Sequence, residues 1–158
     1  MPDRPVLLVD IDGVLNVYGV NGCPPGYTEH ELFPQDAEPA RLCAAHGAWL
    51  RELAEHFDLA WASALGRDTH RLLGPILALD EFPAVPMPPV PFPPAEKVPA
   101  IAAYVGDRPA AWVDDVLGPE ARAWAGGRTA PTLLLGIDHR IGLRRADVDE
   151  LLRWARTV

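Results

Sequence analysis

Five short apolar runs, separated by stretches whose apolar residues recur at helical spacing, constrain this chain more than any other feature. The runs "PVLLVD" (5–10), "FDLAWAS" (57–63), "FPAVPM" (82–87), "AAWVDD" (110–115) and "PTLLLGI" (131–137) have the length and near-continuous apolarity of strands buried on both faces. Between them, residues 39–56 place Leu42, Ala45, Trp49, Leu50 and Leu53 at helical spacing, and 68–79, 96–105, 118–125 and 146–156 are weaker or shorter versions of that pattern. Strands alternating with helices build βαβ units, so the expected fold is α/β, a five-stranded and mainly parallel sheet covered by helices on both faces. At 158 residues, 49% of them hydrophobic, the chain suffices for one full core and falls short of two ordinary domains. Residues 1–158 are therefore read as one domain. The five tryptophans, Trp49, Trp61, Trp112, Trp124 and Trp154, all fall on these elements and are read as core packing.

Two stretches interrupt the alternation. Residues 14–38, which include "YGVNGCPPGYTEHELFPQD", are rich in turn formers and predict a hairpin or flap. Residues 82–95 carry too many prolines for a helix, because proline lacks the amide hydrogen and clashes with the preceding turn. A third strand leaving into an extended proline-rich connection is the expectation.

Charge and composition narrow the function classes. A net charge of −8 disfavours a dedicated duplex-nucleic-acid binder, which needs a basic surface to replace counterions. No apolar stretch approaches the ~20 residues of a membrane span, and "MPDRPVLLVD" lacks the pattern of a signal peptide, so a cytoplasmic protein without membrane contact is expected. Cys23 and Cys43 make no disulfide framework; Cys43, on an expected helix face, reads as a reduced thiol. The five histidines show no close ligand pairing, which argues against zinc, and His46 beside Gly47 reads as a packed or surface side chain. Thirteen of the fourteen basic residues are arginine. Lys97, the one lysine, thus stands out as retained for its chemistry.

In open parallel α/β sheets, ligands bind beyond the carboxyl ends of the strands, where the strand order reverses. Asp10 ends the first run, Ser63 the second, and Asp114 with Asp115 the fourth, while Lys97 opens a helix. Carboxylates gathered this closely repel one another unless a cation sits among them, and Mg²⁺ is the hard cation that takes a few carboxylates plus a phosphate oxygen. Gly13 permits close backbone approach, and exposed amides at a strand-to-loop turn make an anion nest. A phosphorylated substrate bound through a metal is the expectation.

"VDIDGVLN", a serine closing a second strand in "WAS", a lysine at a helix start and the acidic pair of "WVDD" resemble, in that order, the four-motif signature of the haloacid dehalogenase superfamily across residues 6–137. The resemblance implies a Rossmann-like three-layer sandwich and phosphoryl transfer. Asp10 would be the nucleophile that forms an aspartyl-phosphate, and Asp12 the acid and base. Ser63 and Lys97 would hold the phosphoryl group; Asp10, Asp114, Asp115 and the backbone carbonyl of Asp12 would bind Mg²⁺; and the amides of Ile11, Asp12, Gly13 and Ala64 would complete a phosphate cradle. Aspartate at position 12 is the family's mark of phosphoester hydrolysis. The gaps where the family inserts caps leave no room for a separate domain, which implies a capless member with an open site.

The stretch from "HGAWLRELAEHFDLAWAS" through "AWVDDVLGPEARAWAGG" to the C-terminal helix is similar to a small capless group found alone in high-GC bacteria or within RNA-repair proteins. That implies a nucleotide or RNA-end phosphate as substrate. Arg140, Arg144, Arg145, Arg153 and Arg156 are then either backbone contacts or ordinary surface charge, and Arg67, just after Ser63, is a candidate phosphate or leaving-group contact. Two functional readings stay open: a Mg²⁺-dependent phosphomonoester hydrolase, or a module that binds a phosphorylated ligand or nucleotide in the same pocket without turnover.

Overall fold

The computed structural model describes residues 3–158. Strand β1 (Val6–Val9) is buried at every position because it is central. It pairs in parallel with β4 (Asp58–Trp61) on one side and with β5 (Ala110–Asp114) on the other, and β6 (Thr132–Gly136) continues beyond β5. The order β4-β1-β5-β6 means that the chain moves outward to one side of β1 and then returns to build the other. The reversal falls between β1 and β5.

Side chains alternate across the sheet, and the two faces are covered by different helices. Leu7, Val9, Ala111 and Val113 pack under α1 (Ala45–Ala54), α2 (Asp68–Leu77) and α5 (Arg145–Ala155). Val6, Leu8, Ala110 and Trp112 pack under α3 (Lys97–Val105) and α4 (Pro119–Gly126). Trp61 and Trp112 are fully buried, one on each face, and the other three tryptophans lie half-buried against the core. At Gly47 an added Cβ would sit 1.8 Å from the Leu77 carbonyl oxygen, so a side chain there would force α1 and α2 apart. No helix of the described residues is long and apolar enough to cross a membrane.

Four expectations are corrected. The sheet has four strands, not five: the 82–87 run adds only a Trp61–Ala84 bridge, with the Trp61 amide donating to Pro83 and the Val85 amide to Trp61. Pro83 and Pro86 bring no amide hydrogens, so the ladder cannot extend. Residues 39–56 are not one helix: residues 40–43 form β3 (Ala40–Cys43), antiparallel to β2 (Tyr27–His30), and only Ala45–Ala54 is helical. Backbone partners far away in sequence decide this, since the Arg41 amide donates to Asn16 Oδ1 at 2.8 Å and the Arg41 carbonyl accepts from Val17. Consequently Cys43 lies half-buried on a strand rather than on a helix, and the flap takes its second strand from outside residues 14–38. The remaining four helices match the sequence patterns to within two residues.

Candidate active site

Register alone brings the candidate residues together. Val9 lies level with Trp61 on one side and Val113 on the other, so the next residues, Asp10, Ala62 and Asp114, stand side by side at the carboxyl edge of three adjacent strands. The ladder continues through this level, with the Asp10 amide donating to Val113 and the Ala62 amide to Val9. Lys97, at the first turn of α3, reaches all three: its Nζ lies 3.2 Å from Asp10 Oδ1, 2.9 Å from Asp114 Oδ2 and 3.0 Å from the Ala62 carbonyl oxygen. One ammonium group fastens three strand ends.

Carboxylate still exceeds cation here. Oxygens of Asp10, Asp114 and Asp115 all lie within 4.8 Å of one another. Burial pushes the Asp10 carboxyl well above the usual range; Asp114 reinforces the shift and Lys97 opposes it. Burial also raises Asp12 against its hydrogen bond from Asn16, and raises Asp115 against its bond from Tyr18. Burial disfavours the charge on Lys97, yet the two facing carboxylates outweigh it and its pKa rises. Asp114 is tied down further, by Trp112 Nε1 at 3.2 Å and the Val116 amide at 3.0 Å. Three hard oxygen donors with a single lysine between them suit a hard divalent cation, so this donor set could hold a metal ion.

The cleft around this floor has a volume of about 730 Å³, and Asp12, Ser63 and Ala64 also line it. Ser63 is buried and its Oγ accepts from the Leu65 amide at 3.2 Å. Gly13 does not join a phosphate cradle through its amide, which already donates to the Asn16 carbonyl at 2.8 Å. Its role is to lack a side chain: φ is +83°, and a Cβ would fall 2.3 Å from Asp115 Oδ2. Ile11 is wholly buried, and its amide works against burial to lower the Asp10 carboxyl's pKa.

Arg67 is exposed at the start of α2 and does not line the cleft. None of the five C-terminal arginines lines it either. Arg140 is bound to Asp138, Arg144 to Asp147, and Arg145 to Glu52 and Asp149, so three of the five are already neutralised within the chain.

Sequence reasoning missed two side chains that shape the site. Asn16 donates to Asp12 Oδ1 at 3.0 Å while accepting the Arg41 amide, so it ties the flap to the loop after β1. Tyr18 donates to Asp115 Oδ2 at 2.8 Å, and its ring stacks on His139 at 4.4 Å between centroids. The one signal for either was their place in the flap directly after the "DIDG" turn. Comparison with models of known families gives no match, and neither comparison with curated proteins nor comparison with solved structures gives one.

Proposed function

We propose that the chain is a Mg²⁺-dependent phosphomonoester hydrolase of the haloacid dehalogenase type, working through an aspartyl-phosphate on Asp10. The observation that carries this reading is the bridge from Lys97 to both Asp10 and Asp114 in the cleft where Asp115 supplies a third carboxylate. A module that only binds phosphate has no need of a carboxylate held this close to a lysine, since the carboxylate repels its ligand. Asp10, Asp114, Asp115 and the backbone carbonyl of Asp12 would hold the ion. When bound, it would neutralise the carboxylates and polarise the phosphoryl group.

The chain's own residues divide the rest of the work. A carboxylate oxygen of Asp10 attacks phosphorus, the P–O bond to the alcohol breaks, and the departing oxygen takes its proton from Asp12. Asp12 then accepts a proton from water as the water oxygen attacks the aspartyl-phosphate, which releases inorganic phosphate and regenerates Asp10. Lys97 and Ser63 stabilise charge on the transferring group, and Asn16 orients Asp12.

Hydrolysis of phenyl phosphate tests this directly, with Mg²⁺ and with chelator, in the wild-type protein and in Asp10→Asn. Metal-dependent release that falls by more than ~10³-fold in the variant is expected, the scale on which loss of a covalent nucleophile acts. Phosphate binding without release, in a folded and metal-loaded protein, would replace the enzyme with the binding module.

A further inference from the structure

Among the described residues that line the cleft, Lys97 is the only cation, and it is spent on Asp10 and Asp114 at the floor. Above the floor, one wall is apolar: the proline-rich strap presents Val90, 65% exposed, and half-buried Phe92. The flap contributes Tyr18, Asp36 and Glu38 to the same lining. Glu38 is held by Arg41 at 2.6 Å, whereas Asp36 has no ion-pair partner among the described residues. A substrate with its phosphoryl group on the floor therefore extends into a cleft lined by a hydrophobic strap and by the unpaired Asp36 carboxylate.

We propose that the preferred substrate is a phosphomonoester of an apolar alcohol bearing a positively charged nitrogen, and that the cleft discriminates against a second phosphate. The inference rests on the phosphatase reading and turns it away from polynucleotide ends and nucleoside polyphosphates. A second phosphate would meet no arginine or lysine among the lining residues, and it would be repelled by the exposed Asp36 carboxylate, whose charge already acts on Asp12. An ammonium group at the same place is attracted, while the carbon skeleton covers Val90 and Phe92.

Four probes separate the possibilities: phenyl phosphate, 4-(aminomethyl)phenyl phosphate, 4-(carboxymethyl)phenyl phosphate and a 3′-phosphorylated dinucleotide, compared by kcat/KM with Mg²⁺. The aminomethyl ester should be turned over best and the carboxymethyl ester at least ~5-fold more slowly, with the gap narrowing as salt rises. Asp36→Asn should shrink that ratio and Asp36→Lys should invert it. A carboxymethyl ester or dinucleotide turned over as well as the aminomethyl ester overturns the inference and leaves the phosphatase standing, as does a ratio insensitive to Asp36. Absence of Mg²⁺-dependent release from all four probes removes both.

Discussion

The two edges of the central sheet are both charged, and they handle charge in opposite ways. At the edge where the strands begin, Arg4 and Arg108 share Asp58, and each also donates to a main-chain oxygen, Arg4 to Phe57 at 3.1 Å and Arg108 to Arg4 at 2.6 Å. Cation there meets or exceeds carboxylate, and the Asp58 side chain is half in water, where ion pairs contribute little. At the edge where the strands end, Lys97 faces two carboxylates that are nearly sealed from solvent, with a third beside them. At the first edge the carboxylate is outnumbered by its cations. The second is left with excess negative charge in a place where water cannot screen it, an arrangement that costs stability unless a ligand completes it. Unbalanced charge held by rigid strand ends is what separates a site from a surface.

The sharpest way to break this contrast is Lys97→Met. Removing the cation between Asp10 and Asp114 should cost about 3–5 kcal/mol in metal-free protein, the usual penalty for breaking a buried pair. Added Mg²⁺ should restore more stability to the variant than to the wild type, read as the difference in urea midpoints with Mg²⁺ and with chelator. Equal costs at both edges would dissolve the distinction. Gly13→Ala should come next, at about 1–3 kcal/mol, because it combines a left-handed backbone with a Cβ driven into Asp115. Isothermal titration with Mg²⁺ should show weakened binding even where the variant stays folded, and unchanged affinity would exclude Asp115 from the metal set.

His46 sharpens the comparison by isolating a pH effect that belongs to neither edge. Its Nε2 donates to the Leu143 carbonyl at 2.8 Å while Nδ1 is buried without a partner. Burial holds its pKa below the usual 6.5, against the opposing effect of the Leu143 bond. Below 6.5 the unfolded chain takes up a proton that the folded one refuses, so this contribution to stability is complete above that pH and is lost as pH falls toward the folded value. His46→Leu should flatten the difference in urea midpoint between about pH 7.5 and about pH 5.5 relative to wild type. A slope unchanged by the substitution would assign the acid sensitivity elsewhere. The smallest effect belongs to the strand-start edge: Asp58→Asn should change stability by under ~1 kcal/mol and leave turnover of phenyl phosphate as it is.

Legibility followed the range of the interactions. Buried strands reveal themselves as apolar runs, and α2 to α5 as periodic ones, because burial acts on every residue of the segment. The segment 40–43 misled because Leu42, Ala45 and Trp49 keep helical spacing, while its hydrogen bonds go to Tyr27–His30 and to Asn16 and Val17. Proline count ruled out a helix over 82–95 and the apolar run suggested a strand at 82–87, but only the structure showed that a single bridge survives there. Arg67 looked near the site by sequence distance from Ser63, yet the turn after β4 leaves it at the exposed start of α2.

By itself, then, the sequence determined the parallel α/β class, four of its five helices and the residues at the strand ends, since each follows from local periodicity and from chemistry that repeats whatever the partner. Only the tertiary structure decided that Asp10, Ala62 and Asp114 stand level under one ammonium group, and that Tyr18 and Asn16 reach back to the acidic cluster. It also decided that Arg41, Arg140, Arg144 and Arg145 turn to other carboxylates rather than to the cleft. The physical reason is that strand register and charge pairing are set between segments tens of residues apart, where no spacing along the chain records the distance.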